Sequence, residues 1–103
     1  MQKVIDGLVY DAAKAEEVHS WSNGMSRDDF HYDWQTLYVT KNGRYFLYAE
    51  GGAMSDWQTM VGRDHCNGED IVPMEVPEVM EWLESHDGAD VLVRRFGDKL
   101  RDA

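Results

Sequence analysis

The stretch from His31 to Gly51 constrains the fold of this chain more than any other. Two runs rich in β-branched and aromatic residues, Tyr32 to Thr40 and Arg44 to Glu50, flank the dipeptide Asn42-Gly43. Asn-Gly tolerates the positive φ angles of a tight two-residue turn, so this pattern predicts a β-hairpin. With a two-residue loop, Val39 faces Phe46, Leu37 faces Tyr48, Tyr38 faces Leu47 and Thr40 faces Tyr45. One face then carries Leu37, Val39, Phe46 and Tyr48. The other carries Trp34, Thr36, Tyr38, Tyr45, Leu47 and Ala49. Neither face is polar enough to be fully solvated, which places the hairpin at the centre of an antiparallel sheet with helices on at least one side.

The flanks supply the remaining elements. Lys3 to Tyr10 alternates around Asp6-Gly7 and predicts a short opening hairpin. Asp11 is a helix cap for Ala12 to Val18, with Ser22-Asn23-Gly24 as the stop. Beyond Gly51-Gly52, Met54 to Val61 fits a short helix or a strand, Arg63 to Glu69 reads as a loop, and Asp70 to Met74 reads as a further strand. Pro77 suits the first turn of a helix over Glu78 to Ser85, whose apolar stripe is Val76, Val79, Met80 and Leu83 with Trp82 at its edge. A last helix, Ala89 to Phe96, follows Asp87-Gly88 and ends at Gly97. The expected architecture is α+β: a small antiparallel sheet of three to four strands with two to three helices. A chain of 103 residues suits one domain, 1–103, around one core.

Charge narrows the functional classes. Twenty acidic residues against ten basic ones give a formal charge of −10, which disfavours direct contact with nucleic acid or an anionic membrane and favours a basic partner. Cys66 is the single cysteine, so an intramolecular disulfide and a multi-cysteine zinc site are excluded, and a reducing compartment, the cytoplasm, is expected. Between Arg63 and Arg94 there is no Lys or Arg, yet nine acidic residues occur there. Six of them, Glu75, Glu78, Glu81, Glu84, Asp87 and Asp90, recur at every third position. With no cation to separate them, like charges on one helix surface cost about 0.2–0.5 kcal/mol per pair. The functional reading is a ladder of carboxylates that imitates spaced phosphates and enters a basic groove, with Trp82 and Trp57 as aromatic anchors. The bland reading is a solvated face of an acidic protein. Asp28, Asp29 and Asp33 form a second acidic group.

Other features are weaker. His65-Cys66 pairs an imidazole with a thiol, but adjacent residues rarely face one another. His19, His31, His65 and His86 lack metal-ligand spacing, so no metal is expected. Glu50, ahead of Gly51-Gly52, is a carboxylate at a strand end that can point into a site. Trp34, Tyr38, Tyr45 and Trp57 suggest a base-stacking platform, but only Lys41 and Arg44 lie near to hold a backbone. No catalytic motif and no cofactor signature emerges, and the chain reads as a binding protein, not an enzyme.

The run Leu37-Tyr38-Val39-Thr40-Lys41-Asn42-Gly43-Arg44-Tyr45-Phe46-Leu47-Tyr48-Ala49-Glu50-Gly51-Gly52 resembles the signature of small uncharacterised proteins encoded on bacterial phages, plasmids and integrative elements. The flanks agree in order, and the resemblance covers about residues 5–86. It implies a mobile-element origin. Many small acidic accessory proteins of such elements inhibit host defence, as anti-CRISPR and antirestriction proteins do, and several imitate DNA. The expectation is therefore a cytoplasmic inhibitor of a nucleic-acid-binding host complex, such as a CRISPR effector or a restriction nuclease, gripped through Glu75 to Asp90. The rival is a regulatory or structural module that docks on a helicase, relaxase or repressor without charge mimicry. Self-association through the aromatic sheet face is a further expectation.

Overall fold

A computed structural model describes residues 2–55, 57, 59–61, 64–66 and 68–103, with the backbone alone at 59–61 and 64–66. The chain opens with a hairpin of β1 (Gln2–Ile5) and β2 (Leu8–Asp11), with Ile5 opposite Leu8. Asp6 and Gly7 both take positive φ, 53° and 78°, which is the turn their dipeptide predicts. The Asp11 carboxylate accepts a hydrogen bond from the Ala13 backbone N–H at 3.0 Å, as a cap should. What it caps, however, is a single 3₁₀ turn, Ala12–Lys14. The helix expected through Val18 does not form, and Glu16–Ser22 is strand β3. An isolated two-turn helix is marginal, and it loses here to a seven-residue ladder in which His19 and Trp21 face the core while Ser20 and Ser22 face away. A bulge at Val18 lets Val18 and His19 both reach the core side.

Strand β4 (Asp33–Val39) pairs with β5 (Tyr45–Gly51), as expected, but one residue out of the predicted register. Val39 faces Tyr45, Tyr38 faces Phe46 and Leu37 faces Leu47. Asn42 does not adopt positive φ; only Gly43 does, at 81°. The Gly43 N–H bonds the Thr40 carbonyl at 2.9 Å and the Thr40 N–H bonds the Arg44 carbonyl at 2.8 Å, the pattern of a type I turn followed by a left-handed glycine bulge. That turn adds one residue to the loop. Phe46 and Tyr48 therefore share a face with Tyr38, not with Leu37.

Strands β6 (Thr59–Val61) and β7 (Asp64–Cys66) form a small antiparallel hairpin where the sequence had suggested an undecided segment and then a loop. The expectations for Arg63 and Asn67 fall outside the described residues. Strand β8 (Gly68–Met74) pairs with β5, giving a four-stranded antiparallel sheet of order β3-β4-β5-β8. Helices α1 (Val76–Ser85) and α2 (Ala89–Phe96) follow, as predicted. The fold is α+β.

The two sheet faces carry two cores. Leu37 and Leu47 pack under Val79, Trp82 and Leu83 of α1 and Val91, Leu92 and Phe96 of α2. On the opposite face, Phe46 and Ile71 pack with Tyr10 of the opening hairpin, with Ala12 and Ala15 at the edge of the cluster. A hydrogen-bond chain ties the helix layer to the start of β4. The Trp82 Nε1–H donates to Gln35 Oε1 at 2.7 Å, Gln35 Nε2 donates to Asp33 at 3.2 Å, and the Trp57 Nε1–H donates to the same carboxylate at 2.9 Å.

Gly52 shows how tightly the loops at this end close. Its N–H bonds the Tyr32 carbonyl at 2.9 Å, and an added Cβ would lie 2.5 Å from the backbone oxygens of both Asp29 and Phe30. Gly52→Ala is expected to lower stability by about 1–3 kcal/mol in urea denaturation, because backbone must move to admit the methyl. Gly97→Ala, with nothing within 4 Å of its added Cβ, is expected not to destabilise.

Candidate functional site

The acidic ladder sits on α1 and runs on into the first turn of α2. The buried stripe Val79, Trp82 and Leu83 fixes the rotation of α1 against the sheet, and Glu78, Glu81 and Glu84 consequently face solvent. Glu75, Asp87 and Asp90 are exposed as well. Among the described residues, none of these six carboxylates is in an ion pair. Four of them have local structural work. Glu75 is the N-cap of α1 and forms a capping box with Glu78, which accepts a hydrogen bond from the Glu75 backbone N–H at 3.0 Å. Asp87 holds a left-handed φ of 59° beyond the C-terminus of α1, where the Gly88 N–H bonds the Leu83 carbonyl at 2.8 Å. Asp90 lies in the first turn of α2, favourable for the helix dipole. Glu81 and Glu84 have no such local task.

The two proposed aromatic anchors do not belong to this surface. Trp82 is only 6% exposed and is spent on the helix-to-sheet contact through Gln35. Trp57 is half-buried, with its indole N–H committed to Asp33. Both assignments are corrected to structural roles; a tryptophan at a stripe's edge still faces inward when a buried acceptor waits for its N–H. Asp33 leaves the second acidic group for the same reason, while Asp28 and Asp29 stay exposed. The aromatic platform is also divided: Trp34 and Tyr38 lie on one face of the sheet, whereas Tyr45 packs near Phe96 on the other.

The histidines are mostly structural. His19 Nε2 bonds the His86 carbonyl at 2.9 Å, and His86 Nδ1 bonds the Trp82 carbonyl at 2.8 Å. His86 stacks on Trp82 with centroids 4.7 Å apart, and Trp21 meets it edge-on at 4.8 Å. This cluster pins the end of α1 to β3. The side chains of His65 and Cys66 lie outside the described residues. Among the described residues, no group of three His, Cys, Asp or Glu is arranged to hold a metal.

A second polar cluster escaped the sequence reading. On the sheet face away from the helices, Trp34, Glu50 and Glu69 form one cross-strand row. Glu50 and Glu69 are directly opposed like charges, a destabilising pair unless something intervenes. Two groups do. Arg27 reaches over from the loop before β4, its guanidinium 2.8 Å from Glu50 and 5.3 Å from the Trp34 ring centre. The Tyr48 hydroxyl donates a short hydrogen bond to Glu69 and lies 3.5 Å from Glu50. Tyr32, Glu50, Gly68 and Glu69 line a shallow recess of about 270 Å³ here. Burial first, then the bond to Glu69, pushes the Tyr48 phenol well above its ordinary range. Burial and the Glu50 charge raise Tyr32, with Arg27 opposing. Glu50 had been singled out as a strand-end carboxylate, but its partners depend on the β5–β8 register and on a loop that folds back, neither of which the sequence displays.

No protein-family model, curated protein or solved structure matches this chain. The family reading therefore rests on the sequence resemblance alone. No helix among the described residues is long and apolar enough to cross a membrane.

The raised phenol has a consequence for stability. The folded protein holds the Tyr48 proton to higher pH than the unfolded chain, whose tyrosines ionise near pH ~10, so this contribution is full below that pH and is lost progressively above it, until the folded phenol itself ionises. Urea midpoints measured between about pH 9 and about pH 11 are expected to fall less steeply in Tyr48→Phe than in the parent protein. Equal slopes would contradict a phenol raised by its burial and its carboxylate neighbours.

Proposed function

We propose that this protein is a non-enzymatic acidic binding protein whose partner is a basic, nucleic-acid-binding protein, held through the carboxylates of Glu75 to Asp90. The observation that carries this reading is the row of exposed acidic side chains along α1 and into α2 with no ion pair among the described residues. A carboxylate left without a cation on its own chain is available to Lys and Arg side chains that otherwise grip phosphates. Glu81 and Glu84 are the centre of this surface, since they serve no other visible purpose. With the mobile-element resemblance of the hairpin, the specific form of the proposal is an inhibitor of a host defence complex of the CRISPR or restriction class, acting by occupying its nucleic-acid groove in the cytoplasm.

A second reading is favoured by a different observation. Met25, Phe30 and Met54 on loops and Trp34 on β4 are exposed, and the Met54 N–H bonds the Phe30 carbonyl at 2.7 Å, which joins the loop before β4 to the loop after β5. Exposed aromatic and methionine residues suit a docking surface that does not depend on charge. Ionic strength separates the two readings.

The test is affinity capture from nuclease-treated host lysate at low and high salt, followed by elution with duplex DNA. The charge reading expects a basic nucleic-acid-binding protein that DNA and salt both displace. Changing Glu78, Glu81 and Glu84 together to Lys is expected to abolish retention. Because Glu78 also caps α1, the double change Glu81→Lys and Glu84→Lys is the cleaner variant, and it is expected to weaken binding by at least about tenfold, the equivalent of ~1.4 kcal/mol. Retention that resists salt, DNA and both variants would move the interface to the apolar loops.

A further inference from the structure

The opening hairpin presents a strand edge that is left without backbone partners. Asp6 and Gly7 both hold positive φ, so the hairpin closes in a two-residue turn flanked by the opposed pair Ile5 and Leu8. That closing pair exchanges ladder hydrogen bonds, and the alternation of an antiparallel pair then directs the backbone groups of Val9 and Asp11 away from β1. Among the described residues, neither makes a backbone hydrogen bond elsewhere. The hairpin itself is held in place: Tyr10 meets Phe46 edge-on with ring centres 5.6 Å apart, and Lys3 bonds Asp70 at 2.7 Å. A two-stranded ribbon has little stability of its own and gains from a third strand. The outer strands of the main sheet are blunted, β3 by its bulge at Val18 and β8 by Pro73, whereas Leu8 to Asp11 contains no bulge, proline or lysine.

The surroundings of this edge supply an independent observation. Val9 and Asp11 form one wall of a cleft of about 600 Å³, and the turn from Thr40 to Asn42 lies across from them. Lys14 and Lys41 line the cleft, both are exposed, and among the described residues neither has an ion pair. In a chain of formal charge −10, two cations left without a carboxylate favour an acidic group from outside. Asp11, the carboxylate in the cleft, is engaged with the Ala13 N–H. Val9 is exposed and stands opposite the exposed Val4, so the strip along the edge is apolar.

We propose that the outer edge of β2 takes an extended peptide of a partner protein as a third strand, with apolar side chains against Val9 and acidic side chains that reach Lys14 and Lys41. Backbone bonds to Val9 and Asp11 supply affinity, and the flanking side chains supply selection. The cleft shares no residue with α1, so the site is independent of the acidic ladder and takes a segment of the opposite charge.

The test is an NMR titration with acetyl-Glu-Val-Thr-Val-Glu-amide at about 0.15 M salt, where charges beyond ~8 Å are largely screened. In the free protein the Val9 and Asp11 amides are expected to exchange with solvent faster than those of Leu8 and Tyr10, which the β1 ladder holds. The peptide is expected to slow Val9 and Asp11 and to leave Leu8 and Tyr10 unchanged. Alternate N–H groups of an added strand face β2, so N-methylating the peptide at Thr alone, or at both Val residues, is expected to abolish binding in one case and to spare it in the other. Lys14→Glu with Lys41→Glu, both at exposed positions, is expected to weaken this peptide by at least about tenfold and to favour acetyl-Lys-Val-Thr-Val-Lys-amide. Glu81→Lys with Glu84→Lys is expected to leave the affinity unchanged. No binding, or binding that the two methylated peptides keep or lose alike, would overturn strand addition. Binding that resists the lysine changes would overturn the acidic partner. Val9 and Asp11 amides already slow in the free protein, together with a dimer in sedimentation, would also overturn it and give the edge to a second copy.

Discussion

Gly43 turns left-handed at the end of a loop whose Asn42 does not, and this single conformational choice sets which residue of β5 faces which residue of β4. Because side chains alternate across a strand, the choice assigns every later residue of β5 to one layer or the other. Leu47 goes under the helices beside Leu37; Phe46 goes under the opening hairpin with Tyr10; Glu50 goes to the same face as Trp34. A slip of one residue would bury Glu50 toward the helices and turn Leu47 away from Trp82 and Leu83. The two cores and the polar recess are therefore consequences of one turn.

That dependence explains what was legible in the sequence. Elements marked by local chemistry were readable: Asp6-Gly7 for the first turn, Pro77 and Gly97 for the helix limits, and the apolar stripe of α1. The β4–β5 hairpin was readable as a pair but not in register, because Asn-Gly suits both a two-residue turn and a type I turn with a glycine bulge. Glu16–Ser22 was misread because Ala and Glu favour a helix locally, while the contacts that make it a strand come from β4, more than ten residues away. The ladder carboxylates were found by their spacing. Trp82 and Trp57 were misplaced since nothing local shows that Gln35 and Asp33 wait for their indole N–H groups. The recess was missed for the same reason: Arg27, Glu50 and Glu69 meet only after the sheet has formed.

The molecule carries its negative charge in two different physical forms. On α1 the carboxylates are exposed to solvent, so their field reaches beyond contact distance and weakens with salt. In the recess the two carboxylates face each other across adjacent strands, and Arg27, Tyr48 and Tyr32 surround them. There the charges meet groups of the chain itself at contact distance, and screening matters less. The two therefore lie on opposite faces of one sheet.

The measurement that bears most directly on this account is the cross-strand pattern of Hα–Hα and amide NOEs between β4 and β5 in solution. The account predicts contacts that link Leu37 with Leu47 and Tyr38 with Phe46, with Glu50 opposite Trp34. Contacts that link Tyr38 with Leu47 and Leu37 with Tyr48 would contradict it, and would remove Glu50 from the face on which the recess is built.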